Sequence, residues 1–314
     1  MKIIIVSGPT ASGKTDISLD LASKFGGEIV NFDSLCLYQE INIGTAKPTL
    51  EERKSISHHM IDVRSISNPM NAADYAREAF PVVENLLKNE KLVYLTGGSG
   101  FYLQALLKGM YDSPTTPSEI ILRSNNIYNE EGIGPFLSLL KEHDQKSLER
   151  YHPNDHYRIR RAVEHWWTTG GPMSLAREDK NLSNEVLDRP TVHGWDIFHI
   201  YLDMPKEEHS KIIEKRTDRM LRDGLVEEVK SLLESGFTGI EKPLQSIGYK
   251  ESIDYILGNY KSLDECRERI IISTRQLAKS QRTWFKRDGF KKQFNPLEGR
   301  NEIFFQLDQF IKRT

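Results

Sequence analysis

Residues 8–15 read G-P-T-A-S-G-K-T and satisfy the phosphate-loop pattern G-x-x-x-x-G-K-[ST] at every position. Gly8 and Gly13 let such a chain wrap closely around phosphate oxygens, while backbone N–H groups along Thr10, Ala11 and Ser12 point inward, after Pro9. Lys14 adds a point charge, and the Thr15 hydroxyl is a candidate magnesium ligand. The motif has to join a strand to a helix, and both are legible. Ile3, Ile4, Ile5 and Val6 form a β-branched run suited to a buried parallel strand. Beyond the loop, Ile17, Leu21 and Phe25 recur at i, i+4, i+8, the apolar stripe of a helix. The N-terminus of that helix faces the loop, where its dipole favours an anion. A phosphate or diphosphate site is therefore expected.

The chain has 314 residues, enough for one large or two ordinary domains, and 38% apolar with 28% charged residues suits a soluble globular protein. Cys36 and Cys266 lie far apart without metal-ligand spacing, which argues against a disulfide scaffold and for a cytoplasmic protein. No run approaches the roughly 20 apolar residues of a membrane span, so no membrane partner is expected. The net charge is −2, but residues 267–292 hold nine basic residues against two acidic ones. On a helix, Arg275, Lys279, Arg282 and Lys286 fall at i, i+4, i+7, i+11 as a cationic rail, with Ile270, Leu277 and Trp284 on another face. A second cluster, Arg158, Arg160 and Arg161, lies beside His152, His156 and Tyr157. Either could be an ordinary solvated face; together with the phosphate loop they point to a polyanionic partner.

The first 110 or so residues alternate between strand and helix. A strand at 28–32 delivers Asp33 at its carboxyl end, and another at 91–96 runs into Gly97-Gly98-Ser99-Gly100. Ligands of open α/β sheets sit outside the carboxyl ends of the strands, so three strand ends converge on one site. A Pro- and Thr-rich connector at 112–117 precedes a stretch with helical periodicity only, and strand character resumes at 197–202. The predicted fold is α/β, a P-loop NTPase-like parallel sheet with helices on both faces. Residues 1–110 and 195–314 form this core, interrupted by a helical insertion domain at 111–194. The strand ending at Thr96 leads to glycines rather than to the acidic residue common in nucleotide hydrolases. Asp203, after Ile200-Tyr201-Leu202, imitates such a residue but leads into Met204-Pro205. On residues alone, a group transferase, a small-molecule kinase using ATP and a nucleotide-dependent RNA-binding switch all remain open.

Several further stretches narrow the choice. They are D-S at 33–34 with Tyr38, G-T-A-K-P at 44–48, H-H-x-I-D at 58–62, G-G-S-G-F-Y-L at 97–103 and H-P-N-D at 152–155 leading to R-I-R-R-A. G-L-V-E-E-V at 224–229, S-I-G-Y-K-E at 246–251 and T-R-Q-L-A-K-S-Q-R-T-W-F at 274–285 complete the series. In this order, over nearly the whole chain, they resemble the tRNA dimethylallyltransferase (tRNA isopentenyltransferase) family. The resemblance implies transfer of a dimethylallyl group from dimethylallyl diphosphate to the exocyclic amine of the adenosine 3′ to the anticodon, with release of diphosphate. It implies that residues 8–15 hold the diphosphate rather than a nucleotide, with Mg2+ at Thr15 as cofactor. Asp33, Lys14, Thr15 and Ser99 become the catalytic set, with Asp33 taking the proton lost by the amine.

The partner implied is the tRNA anticodon stem-loop, bound by a monomer whose helical insertion grips it. Asp33, Ser34, Leu35 and Cys36 match the segment that receives the extruded adenosine. Arg158, Ile159, Arg160, Arg161 and Ala162, and Gln245, Ser246, Ile247, Gly248, Tyr249 and Lys250, match segments that contact tRNA. Many relatives carry Gln where this chain has Cys36, and Thr where it has Ser99. Arg123 is a shifted counterpart of a basic residue that relatives place after the connector. Arg216 either reaches the diphosphate or lies on an exposed helix face, and His58 and His59 serve local structure.

Overall fold

The computed structural model describes residues 1–45, 47–109, 114, 116–178, 191, 193–286 and 289–313; most of the predicted connector at 112–117 lies outside the described residues. The chain divides into two compact units, one made of Met1–Leu107 with His193–Thr314 and the other of Lys108–Val192.

The first unit is built on six parallel strands in the order β3-β2-β4-β1-β5-β6. They are β1 (Lys2–Ser7), β2 (Glu28–Asn31), β3 (His58–His59), β4 (Val93–Gly97), β5 (Asp196–Leu202) and β6 (Lys291–Phe294). Because side chains alternate across a strand, the β-branched run of β1 feeds two cores at once. Ile3 and Ile5 join one cluster with Tyr75, Val83, Leu103 and Leu225, while Ile4 and Val6 join another with Leu21, Ile303 and Leu307. Both faces of the sheet are thus covered. Helices α1 (Lys14–Phe25) and α14 (Arg300–Lys312) supply the second cluster; α3 (Ala72–Lys88) and α4 (Gly100–Lys108) supply part of the first.

Two strands were not legible in the sequence. β3 is only two residues long, too short to show alternation, and His59 Nε2 there meets Glu28 Oε2 at 2.6 Å while His58 Nδ1 meets the Ile56 carbonyl at 2.7 Å. β6 holds Lys291 and Lys292, the last two of the nine basic residues in the stretch 267–292. They form an edge strand beside β5, with their ammonium groups over the Tyr201 and Phe198 rings. Lysines on an edge strand oppose further strand pairing.

The C-terminal part of this unit adds α10 (Lys206–Arg222), α11 (Leu225–Glu234), α12 (Tyr249–Ile256) and α13 (Leu263–Phe285), following α2 (Leu50–Ser55) near the start. Tyr249, the first residue of α12, is fully buried. Its hydroxyl donates to Glu228 Oε1 at 2.7 Å and accepts from the Gly44 N–H at 3.0 Å. Glu228 also accepts from the N–H groups of Asn42 and Ile43, so residues 42–44 are docked onto α11 and α12. Gly44 is required there: a Cβ would lie 2.4 Å from the Tyr249 ring. Lys47 closes the same segment by its ion pair with Asp62, 2.6 Å long, which Arg53 joins at 2.5 Å.

The second unit comprises α5 (Ser118–Glu131), α6 (Gly134–His143), α7 (Gln145–Arg150), α8 (His156–Thr169) and α9 (Met173–Glu178). Its core holds Phe136, Leu140, Tyr151, Ile159, Ala162, Val163 and Met173. Asp155 caps α8 by accepting from the Arg158 N–H, and Gly170 ends that helix in the left-handed conformation.

Tyr249→Phe deletes one hydroxyl and leaves the Gly44 N–H buried without a partner. The expected cost is about 1–3 kcal/mol, the penalty of an unsatisfied buried polar group. It is read as a lower urea midpoint at unchanged slope; an unchanged midpoint would show that this latch carries no stability.

Candidate active site

The loop between β1 and α1 has a shape that only its own residues allow. A Cβ on Gly8 would lie 2.4 Å from the Leu202 carbonyl oxygen and 2.8 Å from Ser12 Oγ, and Gly8 has φ of 155°. Gly13 starts α1 at φ 79°, and Ala11 takes the left-handed region at φ 61°, a conformation that costs energy in a residue with a Cβ. The Ser12 hydroxyl is buried without a hydrogen-bond partner, a vacant donor inside the loop. Lys14 Nζ donates to the Pro9 carbonyl across the loop at 2.8 Å. Burial pushes its pKa down to about 8, against the pull of the Asp33 carboxylate and with the push of Arg216.

Thr10, at the crest of the loop, is held from three sides. Its N–H donates to Gln281 Oε1 at 2.7 Å, its carbonyl accepts from His209 Nε2 at 2.8 Å, and its hydroxyl accepts from Arg216 Nη1 at 3.1 Å. Gln281 Nε2 donates in turn to the Gly98 carbonyl at 3.1 Å, so one side-chain amide ties the phosphate loop to the glycine turn after β4. Arg282 Nη2 donates to His209 Nδ1 at 2.7 Å, which fixes the imidazole as the Nε2–H tautomer. Burial, with the Arg282 charge adding to it, holds that histidine below its ordinary pKa and neutral, despite its bond to the Thr10 carbonyl.

The glycine turn brings the ends of β2 and β4 together. A Cβ on Gly97 would lie 2.6 Å from the Asp33 nitrogen, one on Gly98 2.6 Å from Gln281 Nε2, and one on Gly100 2.2 Å from the Trp284 ring. Ser99 Oγ consequently accepts the Ser34 N–H at 3.0 Å and lies 3.2 Å from Ser34 Oγ. Asp33 is fixed by its N–H bond to Asn31 Oδ1 and by Oδ1 accepting the Leu35 N–H at 3.1 Å. Its Oδ2 makes no hydrogen bond among the described residues. One oxygen holds the turn and the other is available. The carboxylate charge also raises Lys14, Arg216 and the Cys36 thiol together, which places it among them.

Several sequence expectations need correction. Arg216 is not on a free helix face: it is half-buried against Thr10, its pKa lowered by burial against the Asp33 charge. Its position was readable, since His209, Ile213 and Arg216 recur at i, i+4, i+7 on one face of α10. The cationic rail on α13 is largely spent on ion pairs. Arg275 meets Glu214 at 2.5 Å and Arg282 meets Asp203 at 2.8 Å, while Lys279 and Lys286 remain exposed. Leu277, assigned to the packed face, is instead 39% exposed. Asp203, which imitated a hydrolase carboxylate, is occupied by Arg282 and by its own Met204 N–H.

Cys36 is buried with Sγ toward the Thr45 carbonyl at 3.8 Å, and burial with the Asp33 charge raises its thiol far above the usual range. Its side chain offers no surface to a base. The same correction applies to Ile159 and Ala162, buried in the helical core, and to Tyr249 in its latch. Arg160 and Arg161 are tied inward: Arg160 to Ser124 and Asn125, Arg161 to Thr116 and the buried Glu164 at 2.7 Å. Arg158 is exposed, paired only with Asp155 of its own helix turn, and Arg123 stacks over the Trp167 ring at 4.2 Å. Gln245 and Ser246 bond their own turn through the Gly239 and Pro243 carbonyls, Gly248 takes φ 93°, Ile247 is half-buried and Lys250 is exposed. Leu35 is half-buried beside Asp33.

No group of three His, Cys, Asp or Glu side chains that could hold a metal occurs among the described residues. The Thr15 hydroxyl makes no hydrogen bond among the described residues, so it fits a single hard oxygen ligand completed by an anion's own oxygens. No helix of the described residues is long and apolar enough to cross a membrane.

A parallel α/β sheet with a phosphate loop after β1, cations around the loop and a carboxylate after β2, one strand further along the sheet, defines a phosphate-loop protein. The family profile described as IPP transferase matches residues 36–288, and the chain belongs to that family. It is 38% identical over 292 residues to the tRNA dimethylallyltransferase 2 of Geotalea uraniireducens, covering 92% of this chain and 90% of that one. Identity to the tRNA dimethylallyltransferase 1 of Citrifermentans bemidjiense is also 38%, over 91% and 89% of the two chains. Among solved structures, the tRNA isopentenylpyrophosphate transferase of Bacillus halodurans superposes with a TM-score of 0.69 at 29% identity, covering 99% of this chain and 95% of its own. A eukaryotic dimethylallyltransferase acting on tRNA superposes with a TM-score of 0.78 at 27% identity, over 100% of this chain and 81% of its own.

The depressed pKa of Lys14 has a consequence for anion binding. Negative charge in the loop raises that pKa, so inorganic pyrophosphate should bind with proton uptake at pH near and above about 8, and its affinity should fall as pH rises through that value. Below about pH 7 Lys14 is already charged and the uptake vanishes. Calorimetry in two buffers of different ionisation enthalpy measures it, with Lys14→Met as the reference. Equal uptake by the two proteins at about pH 8.5 would contradict the assignment of Lys14 to the anion.

Proposed function

We propose that this chain transfers a dimethylallyl group from dimethylallyl diphosphate to the exocyclic amine of the adenosine 3′ to the anticodon of tRNA, releasing diphosphate. The observation that carries the reading is the pairing of a diphosphate cradle after β1 with the available Asp33 Oδ2 after β2, on either side of β4, which ends in glycine rather than an acid. A kinase reading loses its support because Asp203 is committed to Arg282.

The chemistry follows from charge. As the allylic C–O bond breaks, negative charge grows on the departing diphosphate and positive charge on the allyl carbon. Lys14 and Arg216 are already beside the loop to meet the anion, so little reorganisation accompanies the step. The Thr15 hydroxyl would hold a magnesium ion, which would supply further charge neutralisation. The adenine nitrogen forms the new bond to the allyl carbon and must shed one proton. Asp33 Oδ2 accepts it while Oδ1 keeps the turn in place.

The target base has to leave its stack before its amine can be reached. Ser34 and Leu35, with the Ser99 hydroxyl beside them, line the strand end that would receive it. With Cys36 buried, recognition there falls to the backbone and the two serine hydroxyls. RNA contact by the helical unit rests on Arg158, since Arg160 and Arg161 already hold α8 to α5 and to Glu164.

Incubation of the protein with tRNA, dimethylallyl diphosphate and magnesium, followed by mass spectrometry of the nucleosides, should reveal one added five-carbon prenyl unit on adenosine. Transfer of a labelled γ-phosphate from ATP to a small acceptor, with tRNA unmodified, would overturn the reading. Asp33→Asn should lower the single-turnover rate by about 10²–10⁴, the usual contribution of a general base, while tRNA and donor affinities change little.

A further inference from the structure

The first unit also carries a row of exposed cations on α10. Along the facing sides of α10 and α13 runs a ladder of paired groups: His209 with Arg282, Glu214 with Arg275, and Asp218 with Arg267 at 2.5 Å. These rungs occupy Arg267, Arg275 and Arg282 of α13, while Lys279 stays exposed. Lys211, Lys215, Arg219 and Arg222 fall on the next face of α10 at i, i+4, i+8, i+11, all exposed. None has a hydrogen-bonded or ion-paired side-chain partner among the described residues. The last three line an open groove of about 570 Å³ between the end of α10 and the start of α13, with Asp218, Asp264 and Arg267.

Four cations against two carboxylates, one of them already neutralised by Arg267, make the groove electropositive in a chain of net charge −2. The groove also adjoins the reaction machinery. Arg216, on the adjoining face of α10, touches the phosphate loop, and Met220 and Leu225 pack beside Gly248.

We propose that this groove is a docking site for the phosphate backbone of the substrate RNA, with Lys215, Arg219 and Arg222 each taking a phosphate. The proposal rests on tRNA being the substrate. It adds a site outside the loops around Asp33 and residues 245–250. Its cations act on affinity by releasing counterions, and none reaches the reacting atoms.

The test compares the full-length protein with its Lys215→Gln, Arg219→Gln, Arg222→Gln triple variant. In a titration of tRNA binding against salt, the slope of log affinity against log salt should fall by about one per lost phosphate contact. Pyrophosphate affinity and the single-turnover rate at saturating tRNA should stay at the wild-type value, which also reports an intact fold. Asp264→Asn, which raises the charge of the groove, should strengthen tRNA binding. An unchanged slope in the triple variant overturns the proposal. So does a loss of affinity that is the same at every salt concentration, or a variant altered only in binding to anionic phospholipid vesicles. If the wild-type protein binds tRNA through this groove yet leaves it unmodified, the groove stands and the assigned reaction fails.

Discussion

Everything the site does depends on the peptide of Thr10 being held still. A phosphate loop binds an anion with dipoles that must already point at it, and a loop free to relax would spend binding energy on its own ordering. Here the loop is anchored by side chains from residues far along the chain. His209 and Arg216 come from α10 and Gln281 from α13. The C-terminal helices are therefore part of the cradle. The same glutamine reaches Gly98, which couples the loop to the turn that positions Ser99 and, through it, Ser34.

Charge is arranged around this scaffold in two classes. Cations needed for structure have partners: Lys47 and Arg53 on Asp62, Arg161 on Glu164, Arg282 on Asp203. Burial alone would raise Asp62, but the hydrogen bonds from Lys47 and Arg53 outweigh it and hold its carboxyl below the usual range. Lys14 and Arg216 are treated differently. Both have pKa values lowered by burial, with Asp33 the main opposing charge. Two desolvated cations beside one carboxylate leave an excess of positive potential, which a diphosphate would relieve. The strain in Ala11 and the unpartnered Ser12 hydroxyl belong to the same state of readiness.

Much of the fold was legible because its signals are local. The β-branched run, the glycine pattern and the i, i+4 stripe of α1 each follow from a few adjacent residues, and the parallel sheet with helices on both faces is what they specify. The parts that were not legible depend on partners distant in sequence. Arg275 and Arg282 look like a free basic stripe until Glu214 and Asp203 are brought opposite them. Tyr249 reads as part of a segment that contacts tRNA until Glu228 and Gly44 enclose it. Arg160 and Arg161 read as an RNA patch because nothing near them in sequence announces Ser124 or Thr116. Charge patterning shows where cations are, and only tertiary packing shows which of them are free.

The affinity of Gln281→Ala for inorganic pyrophosphate is the measurement that tests this dependence most directly. Gln281 touches no anion in this account; it holds the Thr10 N–H and the Gly98 carbonyl in place. If the cradle is organised by the C-terminal helices, the variant should keep its melting temperature to within a few degrees and yet bind pyrophosphate about tenfold more weakly, roughly the worth of one hydrogen bond. Wild-type affinity in a folded Gln281→Ala protein would contradict the account, because the loop would then hold its shape without the clamp.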